Sequence, residues 1–181
     1  MLNKDWFAAP MLGWGCSGAV SQKKNRKKKT HTVVGGWRSG LPGIQSGGSL
    51  ATQIGLLTGL TFLNLPSANV IGSLPPQLGL LAELRFLDLS FNSLTGSLPS
   101  ELAKLSLLGE LHLNDNSFFG ALVALSSLSL LERFDVSNTL LSGTIHSHLS
   151  RLTKLRLFFA ANTRLTGPLP SITTLTLLNQ W

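Results

Sequence analysis

The sequence predicts an α/β-type solenoid, a right-handed superhelix with a parallel β-sheet on its concave face and loop, 3-10 and short helical segments on its convex side. Three observations predict it. Residues Leu84 to Leu107 form a unit of 24 residues that recurs along most of the chain that follows. Within it, Leu84, Leu87 and Leu89 have the spacing of a short strand, Asn92 and Gly96 suit turns, and Leu94, Leu98, Leu102 and Leu105 bring apolar groups back to the same side. The chain of 181 residues is 43% hydrophobic and 13% charged, the balance of an ordered core rather than a disordered chain. One such unit cannot bury its apolar side alone, so stacked copies share one elongated core.

Residues 1–35 read as a basic, poorly ordered leader. Residues 1–59 hold eight basic side chains against Asp5 alone, whereas seven basic and seven acidic residues balance from residue 60 onward. The net charge of +7 therefore belongs to the leader and not to the repeats. Its centre is Lys23, Lys24, Arg26, Lys27, Lys28 and Lys29, a block that repels itself and stays extended. A solvated tail, nuclear targeting, attachment to an anionic membrane and binding of nucleic acid or another polyanion are the readings it leaves open. Met1 to Val20 makes a poor secretory signal, because Asp5 and scattered Gly and Pro interrupt the apolar run. No stretch supplies the ~18–20 uninterrupted apolar residues of a membrane-spanning helix. The missing Asn-x-Ser/Thr sequon leans against a glycosylated ectodomain. Cys16 stands alone, so no internal disulfide forms, and a lone thiol suits a reducing interior.

Residues 36–59 read as a degenerate N-terminal capping repeat. Its glycines and Pro42 make a loop-rich start, and Gly48, Leu50, Ile54 and Leu57 stand two periods before Gly96, Leu98, Leu102 and Leu105. Residues 60–178 hold five repeats of 23–24 residues, opening at Leu60, Leu84, Leu108, Leu131 and Leu155, the third losing one residue before Leu125. Residues 179–181 begin a sixth, so the chain is expected to be a fragment of a longer protein or an array with an exposed last unit.

Gly72, Gly96, Gly120, Gly143 and Gly167 recur in phase, where the backbone must take a positive φ or approach the neighbouring coil. Asn92 and Asn116 sit where the chain leaves the strand, and an amide there satisfies backbone groups of the adjacent turn. Their equivalents are Ala68, Thr139 and Thr163, which predicts the weakest ladder at the first unit. The segments Thr95-Gly-Ser-Leu-Pro99 and Thr166-Gly-Pro-Leu-Pro170 follow. Over residues 48–178 the chain resembles the plant-type leucine-rich repeat family, whose repeat carries Leu-x-Gly-x-Ile/Leu-Pro after the Asn. That family includes receptor-like kinase and receptor-like protein ectodomains and polygalacturonase-inhibitor-like proteins. The resemblance implies a scaffold whose ligands differ from member to member, and a place at the cell surface or plasma membrane.

On a strand of the form x-x-Leu-x-Leu-x-x, the leucines point inward and the alternating residues line the concave face. The candidate partner-binding residues are therefore Phe62, Asn64, Phe86, Asp88, Phe91, Glu110, His112, Asp115, Arg133, Asp135 and Phe159. Exposed aromatics beside convergent charges are what a recognition surface looks like; the same residues also serve to keep a sheet face soluble. Changing Asp88 is expected to cost the fold little. Catalysis is not expected, because an open solenoid face lacks a pocket that excludes water and tunes acids and bases. His146-Ser-His148 has no carboxylate or cysteine at ligand spacing, and no phosphate loop, nucleophile elbow or kinase signature is present. No cofactor or metal is expected. The leading expectation is a module that binds a protein, peptide or glycan on its concave face. The alternative is an intracellular scaffold tethered by its leader to an anionic membrane or nucleic acid.

Overall fold

The computed structural model describes residues 19–25, 28–34, 48–122, 125–145, 149 and 151–168. Each repeat contributes a strand to two sheets. In the first, the concave sheet, β3 (Leu60–Asn64), β5 (Phe86–Asp88), β7 (Glu110–His112), β9 (Arg133–Asp135) and β11 (Leu157–Phe159) pair in parallel. Register follows the repeat, so Phe62 pairs with Phe86 and Phe86 with Glu110. The strands are short because the Leu-x-Leu alternation that defines them lasts only until the turn.

The sequence predicts loop where the structure has a second parallel sheet. Here β4 (Ile71–Ser73), β6 (Ser93–Gly96), β8 (Ser117–Ala121), β10 (Leu140–Thr144) and β12 (Arg164–Thr166) lie in repeat order. The cause is the Ser/Leu-Leu/Phe-x-Gly segment: Leu94, Phe118 and Leu141 are buried while Ser93, Thr95, Ser117 and Leu140 face out. That is a strand alternation too short to separate from a turn by pattern alone.

The return segments are 3-10 turns, η1 (Thr52–Leu56), η2 (Pro76–Leu80), η3 (Ser100–Lys104) and η4 (Leu125–Ser127). Extended Pro75 and Pro99 precede η2 and η3, where a missing N–H goes unpunished. The leucines of the reference unit are buried, with Leu87, Leu89, Leu94, Leu102 and Leu105 fully enclosed. Leu50 and Ile54 extend the same core toward the N-terminus. At the second core position the series Leu63, Leu87, Leu111 changes to Phe134 and Phe158, whose rings pack at 5.6 Å.

Within the leader, expected to be of low order, β1 (Ala19–Asn25) and β2 (Lys28–Val34) form an antiparallel hairpin, and β2 pairs in parallel with β3. β-branched Thr30, Thr32, Val33 and Val34 supply the strand preference that the charge block conceals. The remaining leader residues, Arg26 and Lys27 among them, lie outside the described residues, as do His146 to His148 and residues 169–181.

The five in-phase glycines all have positive φ, from 81° at Gly72 to 94° at Gly143 and Gly167. Close approach is not their common reason, since an added Cβ at Gly120 would stand 3.6 Å from Ser97 Cβ. The intimate glycines belong to the 3-10 row. A Cβ on Gly55 would meet Gln77 Cβ at 2.9 Å, and one on Gly79 would run into the Glu101 carbonyl.

Candidate partner-binding face

Nine of the eleven candidate residues stand on the concave sheet: Phe62 and Asn64 on β3, Phe86 and Asp88 on β5, Glu110 and His112 on β7, Arg133 and Asp135 on β9, and Phe159 on β11. Phe91 and Asp115 do not. They occupy the turns just beyond, at φ 55° and 54°. The Phe62 and Phe86 rings stack at 4.1 Å and 7°, and His112 tilts against Phe86 at 5.7 Å. A stacked pair across neighbouring strands contributes about 0.5–1.5 kcal/mol beyond its buried area. Both rings are half-buried and on the solvent side of the sheet.

The charges beside them are partly engaged within the face. Glu110 Oε2 lies 3.2 Å from His112 Nε2 and 3.9 Å from Arg133 Nε. In register, His112 sits between Asp88 and Asp135. Asp88 Oδ1 accepts hydrogen bonds from Ser90 N at 2.9 Å and Ser90 Oγ at 2.6 Å, and Asp135 Oδ1 accepts from Ser137 N at 2.9 Å. Asp88 is thus not a free surface acid, as the sequence reading has it. It shapes the strand exit and satisfies Ser90, which is buried. The repeated Asp-x-Ser is the signal that reveals this, through the affinity of Asp for the amide two residues on. Asn64 Oδ1 is buried without a partner among the described residues.

Two amide tracks border this face. On the inner track Asn92 Oδ1 accepts from Ala68 N and Val70 N, while its Nδ2 donates to the Leu65, Leu89 and Ser90 carbonyls. Asn116 repeats this with Leu94 N and the Leu89, Leu113 and Asn114 carbonyls. Each Asn serves its own coil and the one before it, so the turn at Ala68 is satisfied by Asn92, although Ala68 itself contributes no rung to the coil before it. The inner rungs stop at Thr139 and Thr163, whose hydroxyls donate to Val136 O and Ala160 O of their own coils. There an outer track takes over, one residue earlier in each repeat. Asn162 Nδ2 donates to Asn138 Oδ1 at 2.7 Å, and Asn138 Nδ2 to Asp115 Oδ1 at 2.8 Å.

Among the described residues no group of three or more His, Cys, Asp or Glu is placed to hold a metal. No helix there is long and apolar enough to cross a membrane. Sequence reasoning also passed over Phe119 and Leu140, exposed and paired in register on the second sheet.

Stacked coils, a parallel concave sheet and turn-forming asparagine ladders define a leucine-rich-repeat module. The Leucine Rich Repeat family profile matches residues 83–105. The chain belongs to the plant-type leucine-rich repeat family. It is similar to the BIR2 ectodomain from Arabidopsis thaliana, at 35% identity and a TM-score of 0.56, over 69% of this chain and 68% of that one. The plant peptide hormone receptor RGFR1, solved in complex with RGF2, is 37% identical with a TM-score of 0.70, over 72% of this chain and 21% of that one. The ectodomain of the receptor kinase SOBIR1 from Arabidopsis thaliana is 26% identical with a TM-score of 0.67, over 83% of each chain. The chain thus spans about a fifth of the length of the hormone receptor. No curated protein sequence matches the chain.

Proposed function

We propose that this chain is a recognition module that takes a peptide or protein partner across the strands of its concave face. The observation that carries this reading is the Phe62–Phe86 stack at 4.1 Å, half-exposed on a continuous parallel sheet and flanked by Asp88, Glu110 and His112. A rigid aromatic anchor beside convergent charge is the composition of binding hot spots. A similar structure, RGFR1, was solved with the peptide RGF2 bound, which makes an extended peptide the leading partner class.

The test is panning of a displayed random-peptide library on the immobilised protein and on the D88N/E110Q/D135N variant. Amides keep the Oδ1 acceptors that hold Ser90 and Ser137 while removing charge. The wild-type protein is expected to enrich a peptide consensus that the variant loses. Enrichment of the same consensus by both proteins sinks the concave-face reading.

A further inference from the structure

The residue that begins the turn after each concave strand adopts a left-handed conformation in all five coils: Ser67 at φ 51°, Phe91 at 55°, Asp115 at 54°, Asn138 at 55° and Asn162 at 55°. Four of the five are small polar residues, the types that enter this region at least cost. Phe91 is the exception. A bulky side chain there is strained, and burial does not repay it, since Phe91 is 58% exposed. The turn is held from both sides: Ser67 N donates to Ser90 O, Phe91 N to Asn114 O and Asn92 N to Asp115 O. The coil can carry a ring here because the inner Asn92 already makes the cross-coil rung. In the fourth and fifth coils the same outer position is Asn and makes that rung itself.

We infer that Phe91 is an anchor of the partner-binding face, held in its left-handed turn to receive an apolar side chain of an extended peptide whose neighbouring residue is basic. The inference rests on the concave-face reading. Phe91 lies three residues beyond β5, on the coil that carries Phe86, so it continues the aromatic path to the rim. The next rim position is Asp115. Its carboxylate accepts only the neutral amides of Asn114 and Asn138 among the described residues, and that negative charge is complementary to a cation beside the apolar side chain.

The same library is panned on wild type, F91N, F91S and the D88N/E110Q/D135N variant, with thermal unfolding measured on each. Wild type is expected to enrich peptides with an aliphatic or aromatic residue next to Lys or Arg. F91N and F91S are expected to lose the apolar preference, with affinity for wild-type-selected peptides down about 10-fold or more and an unfolding midpoint unchanged or raised. A lowered midpoint in both F91N and F91S overturns the inference, because Phe91 then serves the fold. An unaltered consensus in F91N and F91S, lost in the triple variant, overturns the Phe91 anchor and leaves the concave face standing. A consensus unaltered in all variants, or none with wild type, overturns both.

Discussion

Asn92 makes five hydrogen bonds with one side chain, to two amides and three carbonyls drawn from two coils. Each such bond is worth about 0.5–1.5 kcal/mol net, and stranding a buried amide costs about 1–3 kcal/mol. Asn92→Ala is therefore expected to destabilise by about 3 kcal/mol in urea unfolding. Thr139→Ala, which removes a single bond to Val136 O, is expected to cost about 1 kcal/mol. Equal losses at both positions would mean that the amide is not what holds the turns. The residue type at these positions is plain from the sequence, but the direction of the rungs is not. Nothing in the string tells that Asn92 reaches back 27 residues to Leu65, nor that Asn138 and Asn162 form a second track where Thr139 and Thr163 interrupt the first.

At the scale of elements, the two sheets and the 3-10 row meet different packing demands, and the glycines separate them. On the second sheet a positive φ is the requirement, with φ 85° at Gly120 and ordinary contact around it. Along the 3-10 row η1, η2 and η3 approach closely, and Gly79 allows it by leaving room for the Glu101 carbonyl. Gly79→Ala pushes backbone against backbone, where no flexible side chain can yield, and is expected to cost about 1–3 kcal/mol. Gly109→Ala is the control, since its nearest contact would be Arg85 O at 3.5 Å. Chemical unfolding of the two variants checks this, and a Gly79→Ala protein as stable as Gly109→Ala would show that the row can spread. The five glycines spaced in phase are legible in the sequence, as are the concave strands and the residues that line them. Gly79 is not, because its constraint comes from a residue 22 positions away. The leader hairpin is hidden for another reason: its lysines dominate the composition, while the threonines and valines that follow them set the backbone.

For the whole molecule, the register of neighbouring coils is set by the repeat, and each strand pairs with the strand one period before and one period after. Stability in such an array is a sum of coil terms and nearest-neighbour interfaces. Leu131 and Leu155 occupy equivalent places, so removing residues 131–154 joins Leu130 to Leu155 in phase. The new contact sets coil five against coil three, with Phe158 meeting Leu111 in place of Phe134. The shortened protein is expected to unfold cooperatively, with a lower midpoint and a urea m-value reduced in rough proportion to the surface removed. Removing residues 131–142 instead puts Gly143 in the place of the buried Leu131 and turns the core leucines of the last coil out of line, so that protein is expected to lose its cooperative transition. Circular dichroism during urea titration distinguishes the two. If both deletions behave alike, the phase of the repeat does not govern how these coils stack.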